Sequence, residues 1–209
     1  MISSIDKENM YQSIKDFPSH LKLASDLVSK IKMKNIPNKV TNLVISGMGG
    51  SAIGGDVVIE IVKNEIDIPI QVIREYSLPN WVNKDTVVIC SSYSGNTEET
   101  LSAFEDAIKR KAMIFGITTG GILGKKLDNH NREQIIIPKG LQPRAALAFS
   151  VVAIFYYFEK LGILKSSFVQ ILIKRARSSA KSIDSKDEPI ILNPFFSKSS
   201  DNKIGVWPP

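Results

Sequence analysis

The sequence is poor in the residues that build covalent or metal-held frameworks. Of its 209 residues one is a cysteine, Cys90, and two are histidines. A lone cysteine excludes an intramolecular disulfide, and its place in an apolar segment predicts a buried thiol in a reducing compartment. Neither an H-E-x-x-H pattern nor a Cys/His cluster occurs, so no metal is expected. The longest nearly apolar run, Ala145 to Phe158, is too short to cross a bilayer, and no membrane partner is expected. The first residues lack the basic-then-apolar order of a secretory signal, and a cytoplasmic setting is the expectation. The net charge of +6 comes from lysines scattered near both ends. Without interleaved aromatics these predict solvated faces, not a nucleic-acid groove.

What is present is an ordinary globular composition, 43% apolar and 23% charged. Residues 5–32 carry the spacing of one or two amphipathic helices. Thereafter strands are predicted at 43–47, 69–75, 86–91, 112–117 and 134–138, and helices at 51–63, 97–110, 121–128 and 143–163. Such alternation predicts an α/β fold, a three-layer α-β-α sandwich around a five-stranded parallel sheet. In the flavodoxin-like order 2-1-3-4-5, the first and third strands are neighbours at the topological switch point. The run Ala145 to Phe158, apolar on most sides, predicts burial on two sides, in the core and at a subunit interface. A further basic helix is expected over 165–182, and Ile204 to Trp207 reads as a strand beginning.

Two loops follow the first and third strands. Ser91-Ser92-Tyr93-Ser94-Gly95-Asn96-Thr97-Glu98-Glu99-Thr100 places hydroxyls, a glycine and an asparagine where a strand turns into a helix. Such a turn offers backbone N–H groups, short donors and the positive end of a helix dipole, which together suit a phosphate monoester. Gly47-Met48-Gly49-Gly50-Ser51-Ala52-Ile53-Gly54-Gly55-Asp56 is the other loop, and its glycines let a ligand approach the backbone. Both should open into one crevice.

Other readings account for fewer residues. Gly47-x-Gly49-x-x-Ala52 satisfies a dinucleotide pattern with Glu75 as ribose partner, but leaves Ser92, Ser94 and Thr97 unexplained. A nucleotide P-loop is excluded, because Gly49-x-x-x-x-Gly54 continues as Gly55-Asp56. A plain helix cap, with Asn96 capping and Glu99 completing a capping box, explains only part of the hydroxyl cluster. Pro143-Arg144-Ala145-Ala146 is predicted to open the last long helix. An arginine in a first turn opposes the dipole, and the functional reading sets it over the crevice to stabilise an oxyanion. His20 and His130 read as surface histidines.

The two loops with Pro143-Arg144-Ala145-Ala146-Leu147 together resemble the bifunctional phosphoglucose/phosphomannose isomerases of the sugar isomerase (SIS) domain superfamily. The resemblance covers about residues 1–165. It implies that Gly49, Gly50, Ser51, Ser92, Ser94 and Thr97 bind a sugar phosphate, and that Arg144 is catalytic, stabilising an enediolate during aldose–ketose isomerisation without cofactor. It implies a homodimer, and the chain divides into an N-terminal helical segment over 1–35, an SIS domain over 36–165, and, over 166–209, a helix, a linker and the start of a second SIS domain that is otherwise missing. The family's proton-transferring glutamate and ring-opening histidine lie in that second domain, so the chain is expected to be a fragment of an isomerase. The alternatives are a free-standing sugar-phosphate sensor, one with Glu98 or Glu99 as a local base, and a single-domain isomerase using His130.

Overall fold

A computed structural model describes residues 6–7, 10–34, 36–37, 39–164, 169–171 and 173–174. Five strands, β1 (Asn42–Gly47), β2 (Ile70–Ile73), β3 (Thr86–Ser92), β4 (Met113–Thr118) and β5 (Glu133–Ile136), form one parallel sheet. Their order is β2-β1-β3-β4-β5, as the alternation predicts. Every residue of β3 is buried, because helices cover both faces of a parallel sheet and leave no solvated side for polar residues.

The helices are α1 (Met10–Lys15), α2 (Phe17–Val28), α3 (Gly49–Val62), α4 (Glu98–Lys109), α5 (Gly121–Asn129) and α6 (Leu147–Lys160). One core layer holds α2, α3 and α6 against one sheet face, with Ile45, Ile89 and Phe115 as sheet residues. The other lies under α4 and α5, built on Val44, Val88, Cys90 and Ile114. Alternate residues of each strand thus serve opposite layers.

Helix α6 is buried from Ala148 through Phe158. The sequence suggested a subunit interface for part of this surface. Instead, the chain covers the helix itself, through α2 on one side and α3 on another. Two tyrosine hydroxyls in it find backbone acceptors. Tyr157 donates to Gly116 O at 2.8 Å and stacks on Phe115 at 4.9 Å between ring centroids. Tyr156 donates to Ile31 O at 2.8 Å. Cutting Phe155 or Phe158 back to alanine would cost about 3–5 kcal/mol, the usual range for a buried phenylalanine.

The predicted helix over 143–163 starts late. Residues 143–146 form a turn in which the Ala145 and Ala146 N–H groups both bond back to Gln142 O. Arg144 therefore precedes the helix, and the expected clash with its dipole does not arise. The expected surface position of His20 also fails. It is half-buried, its ring 5.8 Å from that of Phe149, with Nδ1 buried and without a hydrogen-bond partner among the described residues. The predicted strand at 204–207 and most of the predicted helix at 165–182 lie outside the described residues.

Candidate functional site

In the sheet register Gly47 lies beside Ser91, so the two strand-end loops leave from paired positions. The approach is close: a Cβ on Gly47 would stand 2.8 Å from Ser91 O. Parallel strands also point both following helices the same way, so the N-termini of α3 and α4 open at the same sheet edge. Both loops thus open at the topological switch point between β1 and β3.

The first loop enters α3 through Gly49, at φ +51°, which an L side chain tolerates poorly. The N-cap residue is Met48, with no side-chain cap; the Ser51 N–H bonds back to Met48 O at 3.1 Å, and no side chain caps the amides of Gly49 and Gly50. Ser51 Oγ accepts the Tyr93 N–H at 3.2 Å, a direct bond between the two loops.

The second loop bonds largely within itself. Ser92 Oγ and Thr97 Oγ1 stand 2.8 Å apart, and Ser92 Oγ also accepts the Gly95 N–H at 3.1 Å. Ser94 Oγ accepts from Asn96 N at 3.1 Å. Gly95 sits at φ +72° against the Gly120 carbonyl. The cap differs from the expected one. Thr97 is the N-cap residue of α4, and its hydroxyl is turned toward Ser92. Asn96 Oδ1 instead accepts the Ile122 N–H at the start of α5, at 3.1 Å. Its side chain joins neighbouring strand-end segments and leaves the amides of α4 open.

Residues 143–144 complete the arrangement. A Cβ on Gly50 would stand 2.7 Å from Pro143 O and 3.5 Å from Arg144 Cα, so glycine is required there for the two segments to touch. Arg144 is exposed, with no side-chain partner among the described residues. Between these segments lies a small recess, with room for little more than a water molecule, lined in part by Gly50, Ser51, Ser91, Tyr93, Pro143 and Ser150. Ser92, Ser94 and Thr97 do not line it. No carboxylate or imidazole lines it among the described residues.

The remaining candidates lie elsewhere. His130 caps the C-terminus of α5, about 13 Å of helix away from that helix's start near the second loop. Glu98 accepts a hydrogen bond from Tyr76 at 3.3 Å, at the exposed start of α4. The nearby Glu99 and Glu98 carboxylates raise the Tyr76 phenol above its ordinary value. No group of His, Cys, Asp or Glu residues suited to a metal ion occurs among the described residues. Sequence reasoning missed Tyr93. Only its position between two serines marks it, because its hydrogen bonds reach residues distant in the chain.

An open parallel sheet in this order, with both loops at the switch point, is a flavodoxin-like α/β fold, and solved structures of phosphosugar proteins share it. A Clostridium difficile 630 protein described as a phosphosugar isomerase superposes with a TM-score of 0.57 at 15% identity, covering 83% of this chain and 52% of that one. The Vibrio vulnificus NanR protein, solved with ManNAc-6P, superposes with a TM-score of 0.52 at 16% identity over 87% of this chain and 72% of that one. In sequence the chain is homologous to the bifunctional phosphoglucose/phosphomannose isomerases. The relative from Caldicellulosiruptor bescii is 42% identical over 156 residues, which cover 75% of this chain and 46% of that protein. The chain thus spans under half the length of that curated relative. No protein-family profile matches it.

Proposed function

We propose that this chain supplies the sugar-phosphate-binding SIS domain, residues 36–165, of an aldose–ketose isomerase acting on glucose 6-phosphate or mannose 6-phosphate, with residues 1–35 packing as a helical flank and 166–209 leading to a second domain. The observation that carries the reading is the hydrogen bond from Tyr93 N–H to Ser51 Oγ, which joins the two loops at the switch point. Homology to proteins named for this activity supports it.

In this reading the phosphate lies over the open amides of α3 and α4. Gly49 and Gly50 give it backbone access, and Ser51, Ser92, Ser94 and Thr97 supply hydroxyls. Arg144, a cation poised beside Gly50, faces the oxygen that gains negative charge in the enediolate. The proton shuttle between C1 and C2 needs a general base, which is worth about 10²–10⁴-fold in rate. That base and the ring-opening acid come from sequence outside the described residues or from a partner copy in a homodimer.

A second reading is binding without turnover, favoured by the absence of any acid or base among the described residues that line the recess between the loops. One experiment separates them. Fructose 6-phosphate formation from glucose 6-phosphate and mannose 6-phosphate is followed alongside calorimetric binding of fructose 6-phosphate. Turnover of both sugars supports the isomerase. Binding without turnover, lost on Ser92→Ala with Thr97→Ala, supports the binding domain. Absence of both sinks the sugar-phosphate assignment.

A further inference from the structure

Tyr93 makes hydrogen bonds to three other segments around the crevice, and the proposed chemistry leaves it without a role. Its N–H donates to Ser51 Oγ at 3.2 Å in the first loop, and its carbonyl accepts the Thr119 N–H at 3.1 Å. Its phenol reaches a third segment. The hydroxyl donates to Pro138 O at 3.1 Å and accepts the Leu141 N–H at 2.9 Å. A hydroxyl that donates once and accepts once is used in both senses, which no phenylalanine reproduces.

The segment held by this phenol runs on to Pro143 and Arg144. It leaves β5 after Ile136, passes Gly140 at φ +91°, and re-enters regular structure only at Leu147. Residues 138–140 and 142–144 are exposed, so few apolar contacts hold them. Arg144 is placed on its far side by the turn in which Ala145 and Ala146 bond Gln142 O, and on its near side by the contact of Pro143 with Gly50 and the grip of the Tyr93 hydroxyl on residues 138 and 141. The same tyrosine follows Ser92, whose Oγ bonds Thr97 in the phosphate loop.

We propose that Tyr93 is a positioning residue that ties the phosphate loop to the segment carrying Arg144, so that the guanidinium stands over the sugar only while the phenol holds residues 138–141. The proposal rests on the sugar-phosphate reading of the site. Its energetic content is an indirect one: Tyr93 acts on the sugar end of the ligand through Arg144 and leaves the phosphate end alone.

The test uses the whole chain and four forms of it: wild type, Tyr93→Phe, Arg144→Ala and the double variant. Inorganic phosphate and fructose 6-phosphate are the probes, measured by calorimetry. Tyr93→Phe should leave inorganic phosphate affinity within about twofold and weaken fructose 6-phosphate about as much as Arg144→Ala does. The double variant should bind no worse than Arg144→Ala alone, because coupled residues give non-additive losses. Additive losses would overturn the proposal, as would an equal loss for both probes, which marks a merely structural tyrosine. Tryptic cleavage of the unliganded chain provides an independent reading. Cleavage after Arg144 should quicken about tenfold or more in Tyr93→Phe, the net loss of the two hydrogen bonds its hydroxyl makes. Cleavage after Lys63, at the other end of α3, should not change. An unchanged rate after Arg144 overturns the proposal whatever the probes do. If wild type binds neither probe, the sugar-phosphate reading fails and the cleavage result alone decides whether Tyr93 holds the segment.

Discussion

The two strand-end loops do similar work by opposite means. The first is held by its backbone and has little side-chain bonding: one serine oxygen, Ser51 Oγ, accepts from the other loop, and Gly49 has nothing within 4 Å of where a Cβ would be. The second is held by its own side chains, with Ser92, Ser94 and Asn96 each accepting a backbone N–H and Thr97 bonded to Ser92. A preformed hydroxyl cluster needs no reordering when an anion arrives, whereas a glycine loop offers amides at the cost of entropy. The difference teaches that the hydroxyl loop is cross-bonded by its side chains, whereas the glycine loop is held by close backbone packing at Gly47 and Gly50.

The largest expected effect tests this directly. Gly95→Ala would drive a methyl into the Gly120 carbonyl at a positive φ, and we expect a loss of about 3 kcal/mol or more, from overpacking and strain together. Gly49→Ala meets only the φ penalty, about 1 kcal/mol. Urea midpoints check both. Cys90 gives a second readout. It is fully buried in β3 below the second loop, and burial pushes its thiol up to about 12. In the native chain it should resist alkylation at pH 8, and Gly95→Ala should label faster than Gly49→Ala. Equal labelling rates would erase the distinction between the loops.

Gly50→Ala comes next. Its methyl would press on Pro143 O, so a cost of about 2 kcal/mol is expected, within the overpacking range. Fructose 6-phosphate affinity should fall more than inorganic phosphate affinity, because the displaced segment carries Arg144. Equal weakening of both probes would mean that residues 143–144 do not serve the sugar.

Smaller still are the serine truncations. Ser92→Ala removes a buried hydroxyl that serves both Thr97 and Gly95, and should cost about 1–2 kcal/mol. Ser51→Ala removes one acceptor at a half-buried site and should cost under about 1 kcal/mol. A larger cost for Ser51→Ala in thermal unfolding would reverse the ranking of the loops.

The smallest effect concerns the segment after β2, which neither loop touches through Ser or Gly. Arg110 donates to the carbonyls of Pro79 and Leu78, and Asp106 accepts from Arg110 and from the Leu78 N–H. Burial pushes the Asp106 carboxyl up, but the Arg110 hydrogen bond, the Leu78 amide and the nearby Arg110 and Lys109 charges outweigh it and hold it below the usual carboxylate range. A depressed carboxyl contributes stability that is complete above its ordinary value, about pH 4, and is lost as pH falls through the lowered one. Wild type should therefore lose thermal stability faster than Asp106→Asn below about pH 4. Parallel curves would remove this clamp from the account.

Much of the fold was legible in the chain because parallel strands buried on both faces leave unbroken apolar runs such as Val87-Val88-Ile89-Cys90. Helix edges were less so. The alanines after Pro143 read as helix, but Ala145 and Ala146 turn back onto Gln142 instead. Asn96 read as a cap for its own helix, yet its carbonyl satisfies the start of α5. His20 read as exposed, since its burial depends on α6, far along the chain.

The sequence by itself determined the sheet order and the position of the two loops at the ends of β1 and β3, because periodicity and glycine and hydroxyl placement are local properties and right-handed crossovers leave few topologies. Only the tertiary structure decided which hydroxyls bond each other, that glycine at residue 50 is what admits Pro143, and that Tyr93 bridges three segments. Those contacts join residues between five and about ninety positions apart, and hydrogen bonds and close approaches at such separations are set by how helices pack across the sheet, which no local pattern encodes.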